Sequence, residues 1–427
     1  MTTRAVARTE QMAGEVRVPG DKSIAHRALI LGAASSGRQT VEGLPDAADV
    51  HSTAECLRSL GCAVEWNGSG RASVEWTGPV QGAALDAGNS GTTARLLAGL
   101  AAGMGVSCAI DGDESLRSRP MGRISDPLSQ MGARVATSAG GTLPLKIEAT
   151  PLTGTRYELP VASAQVKSAV LIAGLFAAGE TTIIEPVPTR DHTERMLEAM
   201  GVTITRAGRE ISIRGGQKPR AGHVVVPGDF SSAACFIVAA LCVPNARVKL
   251  PATGVNPTRS GLLDVIRRMG GDVTVLNERH IGGEPMADLV VGHGTLRGIT
   301  IDDPELIASM VDEFPLFAVA AACANGVTTV RGAQELRRKE SDRIDAIVRN
   351  LRTLGAEIAE FEDGFSISGP TRLRATPVQS FGDHRIAMSM AIAGLVAEGT
   401  TEIDGADAVD ISYPEFFDDL HSLVTGT

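Results

Sequence analysis

Six short clusters of Lys, Arg, Ser, Asp and Gly residues mark places where the chain could bind anions. They are Gly20-Asp21-Lys22-Ser23 with His26 and Arg27, Gly88-Asn89-Ser90-Gly91-Thr92-Thr93, Leu116-Arg117-Ser118-Arg119-Pro120, Ser163-Ala164-Gln165-Val166-Lys167, Arg337-Arg338-Lys339-Glu340-Ser341-Asp342-Arg343 and Asp383-His384-Arg385. Each cluster opens a predicted helix, whose first backbone N–H groups have no intrahelical partner and carry a partial positive charge. Guanidinium and ammonium groups at such a helix end bind phosphates and carboxylates. The clusters therefore predict a site for substrates that carry both kinds of anion.

Each cluster also has a purely structural interpretation. Ser or Asp at a helix start is typical of a cap, and Gly-Asn-Ser-Gly is typical of a turn. The charged run Arg337–Arg343 is typical of a solvated helix face. Recurrence of the clusters at equivalent places in a repeated unit favours a functional interpretation of the set.

The elements that must position these clusters form an internal repeat. Six segments combine a polar start, an Ala-rich apolar helix, a small-residue break and a strand rich in Thr and Val. They recur roughly every 70 residues, beginning near Ser23, Ser90, Ser163, Phe230, Asp312 and Asp383. Between them, Leu or Met followed by Gly closes a second helix at Leu60-Gly61, Met131-Gly132, Met200-Gly201, Met269-Gly270 and Leu354-Gly355. The pattern predicts an α/β fold of βαβαββ units.

Six units divide naturally into two domains of three. We place the crossings near Pro19-Gly20 and Pro227-Gly228, so that 21–227 is an inserted domain. Residues 1–20 and 228–427 then form a discontinuous domain that includes a short N-terminal strand. If the helices of each domain run parallel, their N-termini face a cleft between the domains. The alternative is an unrelated repeat array without a cleft, which the placement of the charged clusters makes less attractive.

Composition excludes several classes of function. The formal net charge of −10 argues against a general affinity for nucleic acid or anionic membrane. The strongest apolar run, 169–178, is about half the length needed to span a bilayer, and the first residues are too polar for a secretion signal. Six cysteines without a CxxC pair fit reduced thiols in a cytoplasmic protein. We expect no metal and no cofactor, because metal-ligand spacings, a Walker loop and a strand-linked GxGxxG are absent.

Over nearly its whole length the chain resembles the EPSP synthase family. The resemblance rests on Pro19-Gly20-Asp21-Lys22-Ser23 through Arg27, Gly88-Asn89-Ser90-Gly91-Thr92, Arg119-Pro120, Ser163-Ala164-Gln165, Lys339-Glu340-Ser341-Asp342-Arg343 and Gly382-Asp383-His384-Arg385. Each motif is moderately specific, and their order and spacing together are very specific. The family fold, an inside-out barrel of two domains with three βαβαββ units each, agrees with the repeat count.

The resemblance implies two substrates, shikimate 3-phosphate and phosphoenolpyruvate, in a monomer without nucleic-acid or membrane partners. The residues implied as shikimate 3-phosphate contacts are Lys22, Ser23, Arg27, Ser163, Ala164, Gln165, Arg190, Asp312 and Lys339. The residues implied as phosphoenolpyruvate contacts are Lys22, Gly91, Arg119, Gln165, Arg343 and Arg385. Asp312 resembles the base for the attacking 5-hydroxyl, and Glu340 resembles the group that exchanges a proton with the methylene carbon. Lys22 is the third residue with an implied catalytic role.

Four motifs resemble the glyphosate-tolerant class II of this family. They are Gly20-Asp21-Lys22-Ser23, Ser163-Ala164-Gln165-Val166-Lys167, Arg190-Asp191-His192-Thr193-Glu194 and Asn256-Pro257-Thr258-Arg259. One position departs from the sensitive members, which have a Lys shortly before a C-terminal Pro. This chain has Ile411-Ser412-Tyr413-Pro414 there, so we assign no ligand to that position.

Two other functions compete with this interpretation. The sister enzyme UDP-N-acetylglucosamine enolpyruvyl transferase usually has a Cys in the loop that corresponds to Asp111–Arg119, and this loop has none. It would also have Lys-Asn in place of Lys22-Ser23. A non-catalytic anion-binding repeat protein would not need Lys22, Asp312 and Glu340 together.

Overall fold

The computed structural model describes residues 2–426. Short helices and strands alternate along this length, because apolar runs are separated by glycine-containing turns. The helices are α1 Lys22–Ala33, α2 Ala48–Leu60, α3 Gly91–Met104, α4 Glu114–Arg117, α5 Gly122–Gln130, α6 Ala164–Gly174, α7 His192–Ala199, α8 Phe230–Cys242, α9 Gly261–Arg268, α10 Pro304–Ser309, α11 Phe314–Cys323, α12 Arg343–Thr353, α13 His384–Val396 and α14 Phe416–Thr425. The strands are β1 Thr3–Ala7, β2 Met12–Glu15, β3 Gln39–Glu42, β4 Cys62–Trp66, β5 Arg71–Trp76, β6 Ala83–Asp86, β7 Cys108–Asp111, β8 Arg134–Ala136, β9 Leu145–Glu148, β10 Arg156–Glu158, β11 Glu180–Ile184, β12 Ile204–Ala207, β13 Glu210–Arg214, β14 His223–Val225, β15 Ala246–Gly254, β16 Asp272–Ile281, β17 Glu284–Gly292, β18 Thr300–Ile301, β19 Gly326–Val330, β20 Glu357–Phe361, β21 Gly364–Gly369, β22 Val378–Gln379 and β23 Thr400–Asp404. Two 3₁₀ turns, Gln334–Arg338 and Ala406–Ile411, precede α12 and α14.

Six small sheets repeat one pattern of strand pairing. Their strand orders are β14-β3-β5-β4, β6-β7-β9-β8, β10-β11-β13-β12, β16-β17-β15-β2, β18-β19-β21-β20 and β1-β23-β22. Each contains a parallel pair, such as β6 with β7, followed by antiparallel pairs, such as β7 with β9. A parallel pair needs a crossover connection, which α3 supplies between β6 and β7. The α/β class and the repeated βαβαββ unit predicted from the sequence are confirmed.

The chain forms two compact units, each with its own hydrophobic core. The terminal unit comprises Met1–Pro19, Gly228–Arg279 and Met286–Thr427. The inserted unit comprises Gly20–Pro227 and the hairpin tip His280–Pro285. The sequence analysis placed this tip in the discontinuous domain and did not foresee its assignment. Within the inserted unit, Glu284 of the tip lies 2.9 Å from Nδ1 of His192, and both side chains are buried.

Strands from distant parts of the sequence complete the sheets of each unit. In the inserted unit, β14 pairs in parallel with β3, so the last strand completes the first sheet. In the terminal unit, β2 pairs with β15 and β1 pairs with β23. Two N-terminal strands are therefore present where the sequence predicted one.

The Ala-rich helices of the six repeated segments form the centre of each unit. In the inserted unit these are α1, α3 and α6, and the centre of the terminal unit consists of α8, α11 and α13. All residues of α8 are buried, as expected for a helix that is apolar on every side. Small residues let α3 and α6 approach closely, since a Cβ on Gly99 would lie 2.2 Å from the carbonyl oxygen of Ala169.

Most of the predicted helix starts carry side-chain caps. In each case the side-chain oxygen of the cap residue accepts a hydrogen bond from a backbone N–H in the first turn. The cap residues, each with the residue whose N–H donates in parentheses, are Asp21 (Ile24), Ser90 (Thr93), Ser163 (Val166), Asp229 (Ser232), Asp342 (Asp345) and Asp383 (Arg385). The cluster Leu116–Pro120 differs from the expectation. It ends the short helix α4 and leads into α5, so Arg119 lies in a connection and not in a first turn.

Candidate active site

In the inserted unit, the first turn of α1 presents an ammonium group beside a carboxylate. Nζ of Lys22 lies 3.3 Å from Oδ2 of Asp49, which comes from the first turn of α2. Both side chains are partly exposed, at 28% and 33%. Ser23 is half-buried next to Lys22. Asp49 thus holds Lys22 at the helix end and leaves it accessible to an anion.

Arg27, one turn further along α1, is a buried and fixed cation. Its Nε donates to Oγ1 of Thr193 at 2.8 Å, and its terminal nitrogens donate to the Ser23 carbonyl and to Oγ of Ser168 at 2.9 and 2.8 Å. Burial lowers the pKa of Arg27 to about 10, so the guanidinium stays charged at neutral pH. Three of its five N–H donors are committed to the protein, which fixes its orientation.

The start of α3 carries Gly91 directly beside two guanidinium groups. A Cβ on Gly91 would lie 2.7 Å from Nη1 of Arg95 and 3.4 Å from Nη1 of Arg119. Arg95 donates to Oε1 of Gln165, and Nε2 of Gln165 donates to Oγ1 of Thr92 at 2.9 Å. This pair of hydrogen bonds fixes the orientation of the Gln165 amide. Arg95 was not predicted as a site residue from the sequence.

Arg119 is held by polar neighbours, with no carboxylate in direct contact. Its Nη2 donates to Oδ1 of Asn89 at 3.0 Å and to Oγ of Ser115 at 3.3 Å. Burial, and then the charges of Arg119 and Arg123, lower the pKa of Arg95 to about 10. This effect shows that positive charge is concentrated around Arg95. A cluster of like charges attracts anionic ligands.

The start of α6 combines a cap, a small residue and a buried ion pair. Ser163 caps the helix, and Ala164 is its first residue. Nζ of Lys167 lies 3.1 Å from Glu185 and donates to the Thr189 carbonyl at 3.2 Å. Because Thr189 directly precedes Arg190, Lys167 anchors the connection that carries the half-buried Arg190. The structure thus gives Lys167 a positioning role that the sequence motif alone did not indicate.

In the terminal unit, three guanidinium groups surround the carboxylate of Asp312. Oδ1 lies 3.3 Å from Nη1 of Arg343, and Oδ2 lies 3.3 Å from Nη2 of Arg385 and 3.8 Å from Nη2 of Arg259. The Asp312 side chain is 14% exposed. Four charged residues from four separate parts of the sequence are brought together here.

Arg343 is the centre of this network and contacts three carboxylates. Besides Asp312, its Nε donates to Oδ2 of Asp383 at 2.9 Å and its Nη2 donates to Oε2 of Glu340 at 2.5 Å. Burial disfavours the charged guanidinium, but Asp383, Asp312 and Glu340 outweigh that effect and raise the pKa of Arg343. Arg343 is therefore permanently charged, although its side chain is 1% exposed.

The turn before α13 presents Arg385 from a strained backbone. Phe381 is 41% exposed and has φ of 54°, a conformation that costs a bulky residue energy. Asp383 caps α13 and is fully buried. Burial, with the charge of Arg385, lowers the pKa of His384 to about 4, so this imidazole is neutral at physiological pH.

Not all predicted residues of the terminal unit join this network. Glu340 contacts Arg343 while its side chain remains 55% exposed. Nζ of Lys339 instead pairs with Oε1 of Glu335 at 2.6 Å. Ile411 is 61% exposed; it lies in the segment before Pro414, where glyphosate-sensitive members of the family have a Lys. Arg259 and Asp383 were not predicted as site residues, and the only signals for them were the Asn-Pro-Thr-Arg and Asp-His-Arg motifs.

Within residues 2–426, no helix is long and apolar enough to cross a membrane. The same part of the chain has no group of three His, Cys, Asp or Glu side chains arranged to hold a metal ion.

Comparison with known proteins places these residues in one family. The family described as EPSP synthase (3-phosphoshikimate 1-carboxyvinyltransferase) matches residues 6–420. Proteins named 3-phosphoshikimate 1-carboxyvinyltransferase from Synechococcus sp. (strain RCC307) and Carboxydothermus hydrogenoformans are each 49% identical to the chain. The first match covers 96% of both chains, and the second covers 97% of both.

Solved structures agree with this result. EPSP synthase from Acinetobacter baumannii superposes with a TM-score of 0.92 at 40% identity, over 99% of this chain and 98% of that one. The enolpyruvyl transferase NikO from Streptomyces tendae superposes with a TM-score of 0.78 at 20% identity, over 98% and 96% of the two chains, and shows the fold alone.

Proposed function

The chain belongs to the EPSP synthase family, and on that premise we propose that the charged residues of its two units carry out the family reaction. It is a 3-phosphoshikimate 1-carboxyvinyltransferase, which transfers the enolpyruvyl group of phosphoenolpyruvate to the 5-hydroxyl of shikimate 3-phosphate and releases phosphate. This reaction belongs to the shikimate pathway of aromatic amino-acid biosynthesis. The sister reaction on UDP-N-acetylglucosamine, considered from the sequence, has no support among these relatives.

Shikimate 3-phosphate is proposed to bind mainly to the helix starts of the inserted unit. The proposed contacts are Lys22, Ser23, Arg27, Ser163, Ala164, Gln165 and Arg190, together with Asp312 and Lys339 of the terminal unit. Support comes from the way these groups are held, since the Arg27 guanidinium and the Gln165 amide have fixed orientations. A preoriented polar site loses less conformational entropy when the ligand binds.

Phosphoenolpyruvate is proposed to bind to Arg119, Arg343 and Arg385, with Lys22, Gln165 and Gly91. Arg forks match both the carboxylate and the phosphate of this substrate. Gly91 lets the ligand approach the backbone of α3, because it has no Cβ. Arg343 donates hydrogen bonds to Asp312 and Glu340, and we propose that the substrate takes over part of these contacts.

The chemical steps follow from the positions of Asp312 and Glu340. The 5-hydroxyl oxygen attacks C2 of phosphoenolpyruvate, its proton passes to Asp312, and C3 accepts a proton from Glu340. In the tetrahedral intermediate a proton then passes from C3 back to Glu340, the C2–C3 double bond re-forms, and the C2–O bond to phosphate breaks. Lys22 and the arginines stabilise the departing phosphate.

The proposed function rests mainly on one observation. The Asp312 carboxylate lies 3.3 to 3.8 Å from three guanidinium groups, two of which belong to proposed phosphoenolpyruvate ligands. A direct test incubates the protein with phosphoenolpyruvate and shikimate 3-phosphate and follows phosphate release. UDP-N-acetylglucosamine in place of shikimate 3-phosphate is the control acceptor. Release with the control alone would contradict the proposed acceptor.

We propose further that the enzyme works as a monomer in the cytoplasm. A monomer is what the resemblance to the family implies. Light scattering at micromolar protein concentration tests this, and a stable dimer mass would contradict it.

A further inference from the structure

Arg259 lies beside Asp312 but is tied to other partners. Its Nη1 is 2.8 Å from both carboxylate oxygens of Glu313, and its Nη2 donates to Oγ of Ser231. The same Nη2 lies 3.8 Å from Oδ2 of Asp312. Neighbouring residues, Asp312 and Glu313, thus share one guanidinium.

The backbone around Arg259 is fixed by a turn. Oδ1 of Asn256 accepts from the backbone N–H and the hydroxyl of Thr258 at 2.9 and 2.8 Å. The carbonyl of Asn256 accepts from the N–H groups of Arg259 and Ser260, both at 2.9 Å. Asn256 is itself buried. The hydrogen bonds of the Asn-Pro-Thr-Arg motif therefore fix the backbone position of Arg259.

Glu313 keeps the Arg259 side chain in place. Its side chain is fully buried, and it also accepts from Oγ of Ser231 on α8. A buried carboxylate needs a partner of opposite charge, because leaving it unpaired is strongly unfavourable. Arg259 therefore cannot leave Glu313 to follow a substrate.

We propose that Arg259 is a positioning residue for Asp312, an inference that rests on the proposed role of Asp312 as base. Of the three guanidinium groups around Asp312, Arg343 and Arg385 are assigned to phosphoenolpyruvate. When they turn to that substrate, Arg259 stays beside Asp312. It orients the carboxylate toward the attacking hydroxyl and keeps positive charge beside it.

The main test separates charge balance from positioning. Arg259→Gln together with Glu313→Gln removes both buried charges, so the melting temperature should stay within a few degrees of the unmodified enzyme. We expect kcat to fall by about 10- to 100-fold, part of what general base catalysis contributes, with KM for both substrates within about threefold. Normal kcat in this double variant would overturn the proposal, because it would show that Arg259 only neutralises Glu313.

Arg259→Lys is the second variant, for the case that the double variant does not fold. It keeps the charge that Glu313 needs, but a single ammonium cannot contact Glu313, Ser231 and Asp312 together. We expect reduced kcat with nearly unchanged KM, and unmodified kcat would overturn the proposal. The matched control is Arg267→Gln on α9, where the arginine is 47% exposed and pairs with Asp264.

Asp312→Asn distinguishes this proposal from the function it rests on. If Asp312→Asn alone turns over normally, the assignment of Asp312 as base fails. If Asp312→Asn is inactive while the Arg259 variants are fully active, only the positioning role fails. The proposal predicts that the Arg259 substitutions lower kcat in the unmodified enzyme and have little further effect on residual turnover in the Asp312→Asn background. An undiminished further loss in that background would overturn it.

Discussion

Nζ of Lys167 lies 2.8 Å from Oε1 of Glu194, and both side chains are 1% exposed. The two residues belong to the sixth and seventh helices of the inserted unit, α6 and α7. Their motifs also carry Gln165 and Arg190, two proposed contacts of shikimate 3-phosphate. The buried pair therefore connects the elements on which these contacts stand.

Lys167→Met should destabilise the protein strongly. It leaves Glu185 and Glu194 buried without their common cation, and breaking a buried pair costs about 3–5 kcal/mol. Urea unfolding measures the loss. Lys249→Met is the control, because its pair with Glu15 is exposed and should contribute little to stability. Equal effects of the two substitutions would contradict the buried-pair assignment.

Asp312→Asn should abolish turnover and spare binding. The amide keeps the shape of the side chain but cannot accept the hydroxyl proton. We expect shikimate 3-phosphate affinity within roughly tenfold of the unmodified enzyme, a difference of about 1.4 kcal/mol, measured by calorimetry. Asp302→Asn on the surface is the control. Normal turnover by the Asp312 variant would exclude it as the base.

Arg119→Ala should weaken phosphoenolpyruvate selectively. The guanidinium has no carboxylate partner in direct contact, so its removal takes away ligand binding without exposing a buried acid. We expect KM for phosphoenolpyruvate to rise at least about tenfold, or 1.4 kcal/mol, and the affinity for shikimate 3-phosphate to change little. Arg117→Ala, at an exposed arginine paired with Asp111 in the same loop, is the control. An unchanged KM for phosphoenolpyruvate would remove Arg119 from the site.

Glyphosate should inhibit competitively with phosphoenolpyruvate, and Gly91→Ala should weaken this inhibition. The added methyl group would lie 2.7 Å from Nη1 of Arg95, the far end of a flexible side chain, so the fold should tolerate the change. Arg95 would have to shift, which disturbs its bond to Gln165 and narrows the space beside α3. Gly122→Ala, where a Cβ meets nothing within 4 Å, is the control.

The four motifs that resemble glyphosate-tolerant class II predict that glyphosate inhibits the unmodified enzyme more weakly than it inhibits sensitive relatives. Because residue 91 is Gly, we expect this tolerance to be partial. The inhibition constant, compared with KM for phosphoenolpyruvate, is the measurement. A constant below KM would show that the motifs do not confer tolerance. Unchanged inhibition of Gly91→Ala would show that glyphosate does not approach Gly91.

Stability should fall as the pH decreases below about 6.5, in part through His26. Burial lowers the pKa of His26 to about 3; the charge of Asp49 opposes this effect, and the charges of Lys22 and Arg27 add to it. Between these pH values the unfolded chain binds the proton and the folded chain does not, so the group contributes a loss of roughly 1.4 kcal/mol per pH unit. His26→Gln should reduce this slope, and exposed His421→Gln should not. Equal slopes in the unmodified protein and His26→Gln would contradict the assignment.

The sequence by itself determined the repeated unit, the positions of most helix starts and the residue types at each start. These features are local, because apolar periodicity and caps such as Asp21 and Ser90 act within one or two turns of the chain. The resemblance to a family, carried by several such motifs in order, determined the substrates and named Asp312 as the base. The residue pattern also led to Leu116–Pro120 being taken as a helix start, because a local pattern could not distinguish a first turn from a connection.

Only the tertiary structure decided which charges meet. Asp312 lies beside Arg343, Arg385 and Arg259 because α11, α12, α13 and the turn before α9 pack together, and no spacing along the chain encodes those distances. The same holds for Lys167 and Glu194. The energy of a buried ion pair depends on desolvation and on distance, and both are set by packing between elements far apart in sequence.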